Sequence, residues 1–176
     1  MALLYTLLHV CTQLFQPMAS GLQQCGTRAI NVIRHHFNFE HVDSAFMNTV
    51  ASHVANLEAS LLNGQTGDLG VENGGNYSAE VLLWILKTDM HLLVERWHGT
   101  ELLPQDVGCV YLVNTSNHWV AIVWDSSQQW LLHDDGRVTS VPDLLLFLAP
   151  YATRGTHSNS AVYIVTAEQT STAPTL

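Results

Sequence analysis

The sequence predicts an α+β domain with helices in its first half and a mainly antiparallel sheet in its second. Two observations predict this class: apolar residues recur at helical spacing up to Lys87, and short runs rich in β-branched and aromatic residues follow. The 176 residues and the 47% apolar content are typical of one globular domain with a sizeable core. We expect this single domain to occupy residues 1–166, with the Ser/Thr-rich tail, 167–176, disordered.

The predicted helices are marked by apolar spacing and by residues that can cap an N-terminus. The first fifteen residues favour a helix that packs on the domain over a signal peptide, because no basic segment precedes their apolar stretch. A second helix begins at Cys25, Asp43 can cap a third, and Ser78 can cap a fourth from Ala79 to Lys87. Between the last two, Gly64 to Gly75 contains five glycines and is expected to be an exposed loop.

The predicted strands are short segments bounded by turn residues. Four come in succession: His91 to Trp97, Cys109 to Val113, His118 to Trp124, and Gln129 to His133. A leucine-rich helix should follow, starting at Ser140, which has capping-box spacing to Asp143, and ending at Pro150. The last predicted strand is Ala161 to Thr166.

Composition argues against several classes of function. A net charge of −9 with Lys87 as the single lysine disfavours a nucleic-acid partner, and no segment is long and apolar enough to span a bilayer. Three cysteines without a C-x-x-C pair favour a reducing compartment, the cytoplasm or the nucleus. The ten histidines lack the spacing of metal ligands, so neither a metal nor another cofactor is expected.

One grouping of residues carries a coherent chemistry. Cys25 opens a helix, His118 opens a later strand, and the next strand ends in Asp134 and Asp135. The order Cys, His, acid is that of papain-like thiol hydrolases. The helix N-terminus, Arg28 one turn on, and an imidazolium could each stabilise a Cys25 thiolate, whereas Cys109 lies within an apolar strand and is typical of a structural cysteine.

Spacing alone leaves two candidates for the acid. A four-residue turn after Trp124 would place Asp135 opposite His118, and a three-residue turn would place Asp134 there. The segment Asp134 to Gly136 is also typical of a simple polar turn. Both carboxylates therefore remain open on periodicity.

Four segments, in chain order, resemble sequence motifs of one family. They are Cys25 to Ile33 against C-x-x-H-x-x-N-N-L, Gly75 to Leu82 against G-x-[FY]-S-x-x-V-[IL], His118 to Ile122 against H-W-[FI]-x-[VI], and Trp130 to Asp135 against aromatic-x-N-L-[ND]-S. The family is the Josephin family of papain-like deubiquitinases. In this chain Arg28 replaces the histidine of the first motif and Val32 replaces its second asparagine.

The resemblance implies a papain-like, Josephin-like fold and a cysteine-type deubiquitinase that cleaves after the C-terminal glycine of ubiquitin or a ubiquitin-like protein. It implies Cys25 as nucleophile, His118 as base and Asp134 as the residue that orients the base, which selects Asp134 over Asp135. A monomer without a cofactor is expected. The alternatives are an inactive ubiquitin-binding module and a papain-like hydrolase or transferase that acts on another amide.

The family's oxyanion donor has no clear match. Its members place a glutamine about five residues before the cysteine, where this chain has Ser20. Gln16 is the candidate we assign, although Gln23 and Gln24 lie closer to Cys25.

Overall fold

The computed structural model describes residues 24–62, 71–72, 76–104, 108–116, 118–152 and 160–167. The elements are α1 (Cys25–His36), α2 (Ser44–Leu61), β1 (Val71–Glu72), β2 (Asn76–Tyr77), α3 (Ala79–Trp84) with a π-helical continuation (Ile85–Asp89), β3 (Leu92–Trp97), β4 (Cys109–Asn114), β5 (Trp119–Trp124), β6 (Trp130–Asp134), β7 (Arg137–Val141), α4 (Leu144–Ala152) and β8 (Ala161–Ala167). The α+β class is confirmed. The helix expected in the first fifteen residues lies outside the described residues, as do positions 168–176 of the expected tail; Ala167 belongs to β8.

The main sheet has six antiparallel strands in the order β3-β8-β4-β5-β6-β7. The last described strand, β8, therefore lies between β3 and β4. The edge strand β7 was missed in the sequence because four of its five residues are exposed and show no alternation of apolar and polar residues. A second, two-stranded sheet pairs β1 with β2, so Val71–Glu72 of the expected glycine-rich loop form a short strand; the rest of that loop lies outside the described residues.

The N-termini of α2 and α3 begin where the sequence predicts. Asp43 caps α2 by accepting a hydrogen bond from the backbone N–H of Phe46 at 2.8 Å. Ser78 occupies the equivalent place before α3, but its side chain makes no capping bond and its hydroxyl is buried. The cap of α2 is thus confirmed, whereas for α3 only the position of the start is right.

Helix α4 differs at both ends from the prediction. Ser140 belongs to β7, and Asp143 is the cap because it accepts a hydrogen bond from the N–H of Leu146 at 2.9 Å. Pro150 does not end the helix, which continues to Ala152. A proline inside a helix removes the one backbone hydrogen bond that its N–H would donate, and this helix continues for two residues without it.

A partly buried ion pair joins α1 to the end of α3. The π-helical continuation ends at Asp89, whose Oδ2 lies 2.5 Å from Nη1 of Arg34. The Arg34 side chain is only 9% exposed, and its guanidinium also lies over the rings of Phe39 and Phe46. The ion pair fixes α1 against the π-helical continuation, and the ring contacts fix it against Phe39 in the following loop and Phe46 in α2.

Apolar layers cover both faces of the main sheet. Helices α1, α2 and α3 pack on one face, and α4 packs on the other. Helix α1 lies along β5, and the indole N–H of Trp119, the first residue of β5, donates to the carbonyl of Tyr77 at 2.9 Å. The start of α1 therefore meets the start of β5. Within the described residues, no helix combines the length and the apolar content needed to cross a membrane.

Candidate active site

Cys25 is the first residue of α1 and is 1% exposed. Burial has the largest effect and raises the pKa of its thiol, and the negative charge of Asp135 raises this pKa further. Hydrogen bonds from the backbone N–H groups of Trp119, Gly26 and Cys25 lower it. Burial outweighs the favourable helix N-terminus, so the thiol keeps its proton at neutral pH. Cys25 nevertheless contacts the residue that follows His118.

Arg28 does not act as the sequence suggested. Its Nη1 lies 3.0 Å from Oδ1 of Asp135, and both side chains are close to half exposed. The guanidinium therefore neutralises Asp135, the acid whose charge raises the pKa of Cys25.

His118 and Asp134 form a direct pair. Nε2 of His118 lies 2.6 Å from Oδ1 of Asp134. Because an ionised carboxylate can only accept, we assign the hydrogen to Nε2, which leaves the Nδ1 of a neutral ring with a lone pair. Backbone bonds hold the histidine in place: the N–H of Thr115 and its hydroxyl both donate to the carbonyl of His118, at 2.8 and 3.2 Å.

The register between β5 and β6 corrects both sequence alternatives. Trp124 pairs with Trp130 and Ala121 with His133, so the turn spans five residues, 125–129. Continuing this register places Asp134 opposite Val120, on the same face as His118 and diagonal to it. The pair thus forms across a diagonal, and neither proposed register was right.

The Asp125 side chain explains the longer turn. Its Oδ1 accepts hydrogen bonds from the backbone N–H groups of Ser127 at 3.0 Å and Gln129 at 3.2 Å. Gln128, between them, adopts a φ of 61°. A carboxylate that bonds its own following backbone supports a wide turn, which strand counting does not anticipate.

Asp135 lies in the turn between β6 and β7. It and Gly136 are the two linking residues, with φ values of 44° and 82°. Two successive positive φ values are the geometry that Asp-Gly favours in two-residue hairpins. The turn reading of this segment is thus confirmed for Asp135, and Asp134 is the last residue of β6.

Backbone N–H groups are the described donors nearest the thiol. Gln16 and Gln23 lie outside the described residues, and Gln24 donates from Nε2 to the hydroxyl of Ser44 at 3.1 Å. The N–H groups of Cys25 and Gly26 precede the first helical hydrogen bond of α1, which Arg28 donates to the carbonyl of Gln24. They could serve as an oxyanion hole.

A groove of about 1300 Å³ lies beside this site, along α1. It is bounded by α1, the loop to α2, and strands β5 to β7; Arg28, Trp119 and Asp135 are among its lining residues, whereas Cys25, His118 and Asp134 are not. Histidines line it farther on: His35, His36, His41 and His133. Burial lowers the pKa of His133, and the charge of His35 lowers it further. The sequence did not reveal this cluster, because its members come from α1, a loop and β6.

Cys109 lies away from this chemistry. It is buried at the start of β4, in the central part of the sheet. This is the environment expected of a structural cysteine.

No protein-family model matches the sequence, and no curated protein matches it.

Proposed function

We propose that this protein is a cysteine-type deubiquitinase with a papain-like, Josephin-like fold. It would cleave peptide or isopeptide bonds after the C-terminal glycine of ubiquitin or a ubiquitin-like protein. Cys25 would act as nucleophile, His118 as base and acid, and Asp134 as the residue that positions the ring. The reaction requires a reduced thiol, which favours a location in the cytoplasm or nucleus. We expect the protein to act as a monomer.

One observation carries the proposal: Nε2 of His118 is 2.6 Å from Oδ1 of Asp134. This bond leaves Nδ1 as the basic nitrogen. The cysteine that would need this base is at the N-terminus of α1, in contact with the backbone of Trp119, the next residue. A nucleophile, a base and an orienting acid are the parts that thiol hydrolysis needs.

The reaction would proceed in two stages. Nδ1 of His118 takes the thiol proton as Sγ of Cys25 attacks the glycine carbonyl carbon, and the resulting oxyanion accepts from the N–H groups of Cys25 and Gly26. The imidazolium then protonates the leaving lysine amine, which leaves a thioester. Water, deprotonated by His118, attacks the thioester, and the thiol recovers its proton as the glycine carboxylate departs.

The state of Cys25 specifies how attack begins. The thiol is 1% exposed and its raised pKa keeps it protonated. Attack would therefore require transfer of the thiol proton to His118, and Sγ would become accessible through local opening or on substrate binding.

The buried and protonated state of Cys25 also favours a second candidate, a ubiquitin-binding module without activity. A nucleophile that is buried and protonated is poorly prepared for attack. In this case the groove beside α1 would bind the partner without turnover.

Ubiquitin carrying a C-terminal thiol-reactive group separates these functions. The deubiquitinase proposal predicts a covalent adduct that forms with the wild type and is lost in Cys25→Ala, while Cys109→Ala keeps it. Binding without an adduct would support the module. Neither binding nor an adduct, together with hydrolysis of small amide substrates, would point to a thiol hydrolase of another specificity.

A further inference from the structure

His118, Asp134 and Asp135 form a cluster of metal-ligating side chains. One ligand atom from each lies within 4.8 Å of the other two. His118 precedes β5, Asp134 ends β6 and Asp135 lies in the following turn, so paired strands hold all three. Their side chains are between a third and a half exposed, which gives an ion access from solvent.

The donor set suits Zn²⁺. Imidazole nitrogen and carboxylate oxygen both bind this ion at about 2.0–2.2 Å, so tetrahedral ligands lie about 3.3 Å apart. The present separations are 2.6 Å between Nε2 of His118 and Oδ1 of Asp134, and no more than 4.8 Å for the other pairs. Three protein ligands leave a fourth position for water.

We propose that His118, Asp134 and Asp135 form a reversible Zn²⁺ site that switches off the proposed catalytic pair. Binding itself does not depend on the proposed function, whereas inhibition rests on it. The sequence could not indicate the site, because its ligands lack the short spacing of zinc motifs and come together only through strand pairing.

Arg28 is the cation that now neutralises Asp135. Its Nη1 lies 3.0 Å from Oδ1 of Asp135, and both groups are close to half exposed. An ion can therefore displace the guanidinium into water without opening the core. Removing Arg28 should strengthen Zn²⁺ binding, because a competing positive charge is lost.

Inhibition follows from the two nitrogens of the ring. Zn²⁺ on Nε2 takes the place of the hydrogen that Asp134 accepts, and the hydrogen of the neutral ring then resides on Nδ1. Nδ1 can no longer take the thiol proton of Cys25. The bound ion thus removes the base without touching the nucleophile.

The binding test uses ZnCl₂ titrated calorimetrically into Cys25→Ala, which excludes the thiol as a ligand. We expect Cys25→Ala to bind one Zn²⁺ ion per molecule. Adding Asp135→Asn should lower the affinity at least about tenfold, and adding Arg28→Gln should raise it. Glu95→Gln, which removes a charge at an exposed position of β3, is the matched control and should bind as its parent does. The proposal is overturned if Cys25→Ala shows no saturable Zn²⁺ binding. It is also overturned if adding Asp135→Asn or His118→Ala to this protein leaves its affinity for Zn²⁺ unchanged.

The inhibition test uses the wild type and Asp135→Asn, each with its own Cys25. Zn²⁺ should suppress adduct formation with the ubiquitin probe, a chelator should restore it, and Asp135→Asn should need at least about tenfold more Zn²⁺. Equal inhibition of the two proteins overturns the switch. If neither forms an adduct without Zn²⁺, the proposed function fails, while calorimetry still decides whether the metal site exists.

Discussion

His118 and Asp134 contact each other across a diagonal of the sheet. The distance from Nε2 to Oδ1 is 2.6 Å, yet the register of β5 and β6 places Asp134 opposite Val120. Because Asp134 is diagonal to His118, only its side chain reaches the imidazole. The length and the oxygen atoms of that side chain therefore determine whether the ring is held.

Substitutions at Asp134 should separate orientation from charge. An amide oxygen can accept from Nε2 as a carboxylate does, so Asp134→Asn should lower turnover of a ubiquitin substrate only about tenfold. Asp134→Ala frees the ring and should cost about a hundredfold. Asp135→Ala, assayed with a chelator, should stay near wild type. A damaging Asp135→Ala beside a tolerated Asp134→Ala would show that the acid was assigned to the wrong residue.

Cys25 and Cys109 are equally buried, and substitutions at them should differ in their effect on activity. Cys25→Ala should reduce turnover below about a thousandth of wild type and, because its side chain packs in the core, lower the free energy of unfolding by about 1 kcal/mol. Cys109→Ala should lower the free energy of unfolding by about 1 kcal/mol with normal activity per folded molecule. Urea unfolding and turnover are measured on both variants. A stable but inactive Cys109→Ala would reverse the assignment.

Alkylation should reveal the protonated state of Cys25. Burial raises its pKa above the ordinary value of 9.0, so the thiolate fraction is small at neutral pH and grows as pH rises through that raised pKa. The rate of modification by iodoacetamide, with a chelator present, should therefore continue to increase above about pH 9. Cys25→Ser supplies the background from the other cysteines. A rate that levels off near neutral pH would mean that His118 already holds the thiol as an ion pair.

The pair of Arg34 and Asp89 should contribute measurably to stability. Arg34→Ala leaves the partly buried Asp89 carboxylate without its cation and removes the stacking on Phe39 and Phe46. The free energy of unfolding should fall by about 2–4 kcal/mol. Arg137→Ala, in exposed β7, is the control and should change it by less than about 0.5 kcal/mol. Equal effects of the two substitutions would show that the partly buried pair contributes no more than a surface charge.

Local signals predicted most elements of this fold. The spacing of apolar residues located α1, α2 and α3, and Asp43 caps α2 as its residue type suggests. Exposed β7 was missed because an edge strand need not alternate apolar and polar residues. Pro150 misled the helix boundary because a proline removes one backbone hydrogen bond without necessarily ending a helix.

The candidate site was predictable in its members but not in its geometry. Residue order identified Cys25, His118 and two candidate acids, of which the family resemblance selected Asp134, and the structure pairs Asp134 with His118. The wide turn held by Asp125 changed the register, which depends on side-chain bonds that no period reports. The contact of Arg28 with Asp135 was equally hidden, since it joins a helix to a distant hairpin.

The central position of β8 constrains the order in which the chain can fold. Leu92 pairs with Ala167 and Cys109 pairs with Thr166, so within the sheet β3 is connected to β4 through β8. During synthesis the sheet cannot be completed before β8 has been made. Until then, the edges of β3 and β4 that pair with β8 are exposed and can pair with other chains. Contacts so distant in sequence also slow folding. A chain truncated before Ala161 would therefore lose more than one strand: the hairpins that carry His118 and Asp134 would have no connection to β3 within the sheet.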